Sequence, residues 1–262
     1  MPGIRQPAVS GTFYPGFGPA LKAAVDRCLP TARLGSAVPK AIIVPHAGYV
    51  YSGPVAGAAY ALLEAGRTTI RRVVMIGPAH RVPFEGIAVS RATSFRTPLG
   101  DVPVDVRSVD IALSLPHVRV VEAAHAPEHC LEVQLPFLQT VLVSFSIVPL
   151  LTGHTTAESV ASVLQGLWDG GETLILVSTD LTHYLPYNEA KETDARTAAA
   201  VLELNPDAIG HEAACGSTAL RGLLLTARRL GLRIEQLDLR NSGDTAGPRD
   251  AVVGYGSFAL YA

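Results

Sequence analysis

Three short runs of apolar, mostly β-branched residues constrain the fold of this chain more than any other feature of its sequence. The runs occupy residues 41–44, 73–76 and 173–178. Continuous apolar runs of this length predict strands that are buried on both faces, as in a parallel sheet covered by helices. Segments with helical spacing of apolar residues lie between them. The sequence therefore predicts one α/β domain over residues 1–262, with a central, mostly parallel or mixed sheet and helices on both faces.

Two of the three predicted strands are followed by a proline and then a histidine. His46 comes directly after Pro45, and His80 comes two residues after Pro78. Because ligand sites in open α/β sheets lie at the carboxyl ends of the strands, both imidazoles are expected at one edge of the sheet. A single histidine in such a loop is more often structural or solvated. The repeated pattern favours a metal site that His46 and His80 share.

Polar and aromatic side chains near these histidines are expected to line the same pocket. Tyr49 and Tyr51 follow His46 and supply stackable rings with hydroxyl groups. The third predicted strand leads to Asp180 and His183, which we expect to line an active site. The alternative for Asp180 is a helix cap or a turn.

The segment of residues 128–142 is predicted to be a helix that is kinked or shortened by Pro136. His129 and Glu132 are three residues apart and are expected to share one face of this helix. An alternative places His129 on the helix surface, where Glu132 or Glu128 satisfies it.

Two further histidines have the residue type for proton transfer near neutral pH. His129 and His183 are candidates for general acid or general base, with Glu128 or Asp180 orienting them or tuning their pKa. Glu128 is therefore expected beside the pocket.

Cys215 is the preferred third metal ligand, and Asp180 is the alternative. Cys215 stands at the start of a predicted helix, where free N–H groups and the helix dipole favour the thiolate. Two imidazoles and a thiolate suit iron(II), copper or zinc rather than magnesium or calcium. The competing interpretation is that Cys215 is a small buried apolar residue.

Composition and motifs exclude several functions. The net charge is −2 with both signs interspersed, which argues against a nucleic-acid partner. No apolar run approaches the roughly 20 residues that span a bilayer, and the N-terminus lacks the apolar core of a signal peptide, so a cytoplasmic protein without a membrane partner is expected. The motifs H-E-x-x-H, G-x-S-x-G, G-x-x-x-x-G-K-[ST] and G-x-G-x-x-G are absent from the sequence.

Five motifs resemble those of the Memo family, whose prokaryotic members are also called AmmeMemoRadiSam system protein B. They occupy residues 7–15, 45–53, 77–80, 128–137 and 178–184. The motifs occur in the same order over nearly the whole chain, and such a set is far more specific than any one of them.

This resemblance implies the fold of the class III extradiol dioxygenases and a set of site residues. It implies metal ligands at His46, His80 and Cys215, and a vestibule lined by three further residues, His129, Asp180 and His183. The cysteine stands where the dioxygenases carry a carboxylate, which argues against ring cleavage because a thiolate donates more electron density and is oxidisable.

The resemblance also implies cofactors and partners. Some members show iron or copper redox chemistry, and animal members bind phosphopeptides or proteins. Fe(II) is the expected metal, with copper or zinc as alternatives. The prokaryotic name implies AMMECR-type and radical S-adenosylmethionine proteins as partners.

Two hypotheses of function follow. The first is a metal-dependent oxidoreductase that uses Fe(II) or copper on an unknown substrate. The second is a non-catalytic module that uses the same pocket to bind a peptide, a small anion or a metal. Zinc-dependent hydrolysis is a weaker third alternative.

Overall fold

A mixed sheet of nine strands forms the centre of the computed structural model, which describes residues 3–30 and 37–262. The strands of the protein are β1 (Ile4–Arg5), β2 (Ala41–Val44), β3 (Arg72–Pro78), β4 (Ile87–Val89), β5 (Ser94–Thr97), β6 (Gly100–Pro103), β7 (Val118–Val120), β8 (Ser146–Thr152), β9 (Thr173–Ser178), β10 (His183–Leu185), β11 (Arg233–Asn241) and β12 (Val252–Tyr261).

Eight α-helices accompany these strands in the described part of the chain. They are α1 (Gly18–Cys28), α2 (Tyr49–Tyr60), α3 (Val106–Leu113), α4 (Glu122–His125), α5 (Leu135–Val141), α6 (Ala157–Gly166), α7 (Tyr187–Leu202) and α8 (Ser217–Leu230). No helix within residues 3–30 and 37–262 is long and apolar enough to cross a membrane.

The central sheet has the order β10-β12-β2-β9-β3-β8-β4-β7, and β11 pairs with β12. The four strands β2, β9, β3 and β8 run parallel to one another. On either side of this group, β12 pairs with β2 and β4 pairs with β8, both antiparallel. Every residue of β2 and β9 is buried, as the apolar runs predicted. The predicted α/β class, with a central mixed sheet flanked by helices, is confirmed.

The register of the parallel strands brings three strand ends together. Val44 at the end of β2 pairs with Ser178 at the end of β9, and Ile76 of β3 pairs with Val177 of β9. The carboxyl ends of β2, β9 and β3 are therefore side by side. The prediction of one domain over residues 1–262 stays a prediction, and it includes residues 1–2 and 31–36, which lie outside the described residues.

In residues 128–142 the structure has the shortened form of the predicted helix and not the kinked one. Residues 128–131 are not helical, a short 3-10 helix covers Glu132–Gln134, and α5 begins at Leu135. Pro136 lies in the first turn of α5, where its missing N–H costs nothing, so it begins the helix rather than kinking it.

Glu132 consequently does not share a helix face with His129. Its buried carboxylate forms an ion pair with Arg5 and accepts hydrogen bonds from the amides of Ala8 and Val9 and the hydroxyl of Tyr14. Glu132 thus ties the N-terminal segment to the core.

Helix α2 begins at Tyr49, three residues after His46, and contains Gly53 and Pro54. Within this helix, Gly57 allows close packing against α1, because a Cβ at this position would lie 2.0 Å from the carbonyl oxygen of Cys28. The loop that carries His46 is therefore short.

Candidate metal centre

Three imidazoles meet at the carboxyl edge of the central sheet. The ring centroids of His46 and His80 are 5.1 Å apart, those of His46 and His129 are 5.5 Å apart, and those of His80 and His129 are 4.8 Å apart. His46 follows β2 and His80 follows β3, whereas His129 comes from the non-helical segment before α5. The sheet register places His46 and His80 side by side, and the packing of the segment before α5 adds His129.

The thiol of Cys215 joins two of these histidines. One ligand atom from each of His46, His80 and Cys215 lies within 4.8 Å of the others, and the Sγ of Cys215 is 3.3 Å from the Nε2 of His46. Metal–ligand bonds of about 2.0–2.3 Å in a tetrahedral site place neighbouring ligand atoms roughly 3.3–3.8 Å apart. The distance between Cys215 and His46 falls in this range, and the three donors are of the types that iron, copper and zinc prefer.

His46 is held from two sides. Its backbone amide donates to the Oδ1 of Asp180 at 2.7 Å, and its Nδ1 is 2.9 Å from the Oγ of Ser178. Burial, followed by the nearby imidazoles of His80 and His129, lowers the pKa of His46 well below its usual value. The ring is therefore neutral and able to offer a lone pair.

His80 is held by the carboxylate of Glu128. The Oε1 of Glu128 is 2.9 Å from the Nδ1 of His80, and its Oε2 accepts the backbone amide of His80 at 2.6 Å. Burial by itself would raise the pKa of Glu128, but the imidazoles of His129 and His80 hold that pKa well below its usual range. Glu128 is therefore an anion beneath the imidazoles.

A second group, made of His80, Glu128 and His129, also has three potential ligand atoms within 4.8 Å. The Oε1 of Glu128, however, already accepts the amides of His129 and Cys130 at 2.8 and 3.0 Å. Both carboxylate oxygens are thus used by N–H groups. Glu128 is better suited to orient His80 than to bind a metal ion itself.

The local structure at Cys215 differs from the sequence prediction of a thiolate. Cys215 precedes α8 by two residues, and its Sγ accepts the backbone amide of Asp180 at 3.3 Å. Burial and the charge of Asp180 raise the pKa of Cys215 to about 12. The metal-free protein therefore favours the thiol at neutral pH, in contrast to the thiolate predicted from the helix position. A metal ion that binds here must displace the thiol proton.

A cavity of about 1140 Å³ opens in front of the histidines. His46, His80, His129, Asp180 and His183 all line it. Asp180 is buried, and burial raises the pKa of its carboxyl group, whereas His183 is exposed to solvent. The cavity thus combines a buried acid with a solvent-accessible imidazole.

Aromatic residues surround the outer part of this cavity. Phe13, Tyr51 and Tyr184 line it together with Arg81. Tyr184 is 75% exposed and has a positive φ of 58°, a strained conformation for a non-glycine residue. Phe13 packs edge-on against His129, with ring centroids 4.8 Å apart.

Two residues that were expected beside the pocket, Tyr49 and Glu128, are buried. The ring of Tyr49 borders the cavity but is buried, and its hydroxyl donates to the carbonyl of Val133 at 2.6 Å. Glu128 lies beneath His80 and His129. Sequence reasoning missed Ser178 and Gln134, although Ser178 ends the third predicted strand and Gln134 stands in the motif of residues 128–137.

A family model described as Memo-like protein matches residues 5–259. The chain belongs to the Memo-like family. It is 35% identical over 270 residues to a MEMO1 family protein of Methanosarcina acetivorans, covering 98% of this chain and 99% of that protein. It is 36% identical to the MEMO1 family protein of Methanosarcina barkeri, with 98% and 100% covered. A MEMO1 family protein of Aquifex aeolicus is 34% identical, with 96% and 97% covered.

The similarity to Memo-like relatives extends over the whole site. All five motifs, which include His46 and His80, lie within the matched residues 5–259, and so does Cys215. Within the matched region, two groups of histidine, cysteine and glutamate side chains have ligand atoms close enough together to hold a metal ion.

Proposed function

We propose that this Memo-like protein is a metal-dependent oxidoreductase that uses Fe(II), or alternatively copper, at His46, His80 and Cys215. The substrate is not identified. The observation that carries the proposal is the convergence of two imidazoles and one thiol within 4.8 Å beside a large cavity. Three protein ligands leave coordination positions free for a substrate or water, which is typical of catalytic and not of structural metal sites.

The choice of metal is supported by the donor types and by the family. Imidazole and thiolate donors prefer iron, copper and zinc over magnesium and calcium. Zinc fits the same ligands and is the basis of the alternative hydrolytic function. The resemblance of the motifs to a family with iron and copper redox chemistry supports Fe(II) first and copper second.

The protein residues would handle protons while the metal, when bound, supplies redox chemistry. The Nδ1 of His129 lies 3.2 Å from the Oε1 of Glu128, so this atom is placed to hold or release a proton beside that carboxylate. His183 is solvent-exposed in the same cavity and is suited to exchange protons with water. Asp180 fixes the backbone of His46 and adds a buried carboxyl group.

The first test is metal analysis of protein purified without oxygen. Wild type should contain or bind nearly one equivalent of iron or copper, and its absorption spectrum should change when air is admitted. Cys215→Ser should lose metal and the spectral change, because serine is a poor replacement for a thiolate. Cys28→Ser serves as the matched control and should behave like wild type. Wild-type protein that binds neither added Fe(II) nor copper would contradict the proposal.

A non-catalytic binding module is the second candidate, and the aromatic outer wall of the cavity favours it. Phe13, Tyr51 and Tyr184 offer stacking surfaces, and Arg81 offers a positive charge to a peptide or a small anion. The AMMECR-type and radical S-adenosylmethionine proteins stay proposed partners on the basis of family resemblance alone. Oxygen consumption separates the two candidates, since a binding module loaded with Fe(II) should consume no more oxygen than free iron does.

A further inference from the structure

A buried chain of hydrogen bonds lies behind His46, on the side away from the thiol. It runs from Tyr60 through Gln134 and Ser178 to the Nδ1 of His46, and each of these residues is at most 2% exposed. None of the three supporting side chains is charged. Each hydroxyl has one hydrogen to donate and the amide nitrogen has two, so the neighbouring groups determine which atom donates in each hydrogen bond.

The orientation of the Gln134 amide is set by a backbone carbonyl. The carbonyl oxygen of Pro45 can only accept a hydrogen bond, and it lies 2.9 Å from the Nε2 of Gln134. The Nε2 must therefore be the donor there, which leaves the Oε1 to accept the hydroxyl of Tyr60 at 2.7 Å. The second Nε2 hydrogen points to the Oγ of Ser178, also at 2.9 Å.

The single hydroxyl proton of Ser178 is used by another carbonyl. The Oγ of Ser178 is 2.7 Å from the carbonyl oxygen of Cys130, a contact between two oxygens that is favourable only if the hydroxyl donates. Gln134 approaches that carbonyl only at 3.4 Å, so it does not replace this donor. The Nε2 of Gln134 and the Nδ1 of His46 must therefore both donate hydrogen bonds to this Oγ.

It follows that the Nδ1 of His46 carries the proton and that its Nε2 carries the lone pair. This Nε2 is the atom that faces the Sγ of Cys215 at 3.3 Å. We propose that Ser178, held in place by Gln134, is a positioning residue that selects the Nδ1-protonated tautomer of His46. This role rests on the proposed metal centre for its purpose, because only that tautomer presents a lone pair to an ion between His46 and Cys215.

The tautomer itself is measurable without a metal ion. NMR of metal-free wild-type protein with isotope-labelled histidine ring nitrogens reports which nitrogen of each imidazole is protonated, and loss of one signal set in His46→Gln assigns His46. We expect protonation at Nδ1. A wild-type His46 protonated at Nε2 would overturn the proposal, and this result requires no variant to fold.

Ser178→Ala tests the assignment of the role to one hydroxyl. It leaves Nδ1 without its acceptor, so the NMR signals should move toward the Nε2-protonated form, and affinity for the probe ion Co(II) should fall by about tenfold, the lower end of the range for outer-shell partners of metal ligands. Ser257→Ala is the matched control, since its buried hydroxyl has no hydrogen-bond partner among the described residues. Equal tautomer and equal Co(II) affinity in both variants would overturn the proposal.

The outcomes also separate this inference from the proposed function. Protonation at Nδ1 that changes in Ser178→Ala, in a protein that binds neither Co(II) nor Fe(II), supports the positioning role and contradicts the metal-dependent function. Metal binding by wild type with protonation at Nε2 supports the function and overturns the positioning role.

Discussion

His46 and His80 follow the same sequence pattern, but the structure supports them in different ways. His46 is buried, and the groups behind it are the neutral side chains of Ser178 and Gln134. The side chain of His80 is 27% exposed, and the group behind it is the carboxylate of Glu128. A neutral hydroxyl selects a tautomer, whereas a carboxylate also makes the ring a stronger electron donor.

The difference follows from what each position tolerates. A buried anion is stable only where several donors surround it. Glu128 has the amides of His80, His129 and Cys130 together with the ring of His80. Behind His46 the contacts are mostly carbonyl oxygens, which would repel a carboxylate. Two histidines that follow the same sequence pattern thus differ in the charge of the groups that support them.

The largest expected effect is the loss of either histidine. His46→Ala and His80→Ala should each lower metal affinity by more than the roughly 100-fold upper range for outer-shell partners, because a ligand itself is removed. Titration with Fe(II) under nitrogen measures this, and His154→Ala, an exposed histidine outside the cluster, is the control. Unchanged affinity in only one of the two variants would show that the pair does not share one ion.

Glu128→Gln should have the next largest effect. Glutamine keeps the shape but removes the charge and one acceptor oxygen, so metal affinity should fall about 10–100-fold. Glu132→Gln is the matched control, because Glu132 is an equally buried carboxylate that binds Arg5 and the N-terminal segment. It should lower the free energy of unfolding while the folded protein keeps its metal affinity. A similar loss of metal affinity in both variants would show that Glu128 has no specific role in orienting His80.

The burial of His125 and His46 should make the metal-free protein sensitive to acid. Burial lowers the pKa of His125 to about 4 and lowers that of His46 well below its usual value. Between the folded pKa and the unfolded value near 6.5 the unfolded chain binds more protons, so the free energy of unfolding falls as the pH falls. His125 alone accounts for about 2 kcal/mol between pH 7 and pH 5.

Urea unfolding at the two pH values measures this loss. His125→Gln and His46→Gln should each show a smaller decrease than wild type, since each variant lacks one of the titrating groups. A decrease as large as that of wild type in His46→Gln would mean that His46 is not held neutral by the fold.

Tyr60→Phe should have the smallest effect. It removes the donor to the Oε1 of Gln134 but keeps the ring stacked on Phe137. Loss of one buried hydrogen bond costs about 1 kcal/mol of unfolding free energy. The tautomer of His46 should not change, because the carbonyl of Pro45 still orients the amide. A changed tautomer in the NMR spectrum would show that Tyr60, and not Ser178, determines the tautomer of His46.

Local sequence signals were sufficient for the fold class and for the placement of His46, His80 and Asp180. Each of the three stands two residues beyond the last residue of a buried strand. The strands are recognisable from their continuous apolar composition, and adjacent parallel strands present their carboxyl ends at one edge. Of the two alternatives for residues 128–142, the kinked helix is wrong and the shortened helix agrees with α5. Periodic leucines could not separate the two, because they are equally compatible with a non-helical turn followed by a short helix.

The sequence by itself determined the sheet, its edge and the residues that emerge from that edge. Only the tertiary structure decided which of two glutamates in one segment supports a histidine and which binds Arg5, and that a serine at a strand end faces His46. The physical reason is that these choices depend on partners distant in the chain. Ser178 and His46 are 132 residues apart, and Glu132 and Arg5 are 127 apart. A hydrogen bond across such a separation leaves no periodic signal in the residues on either side of it.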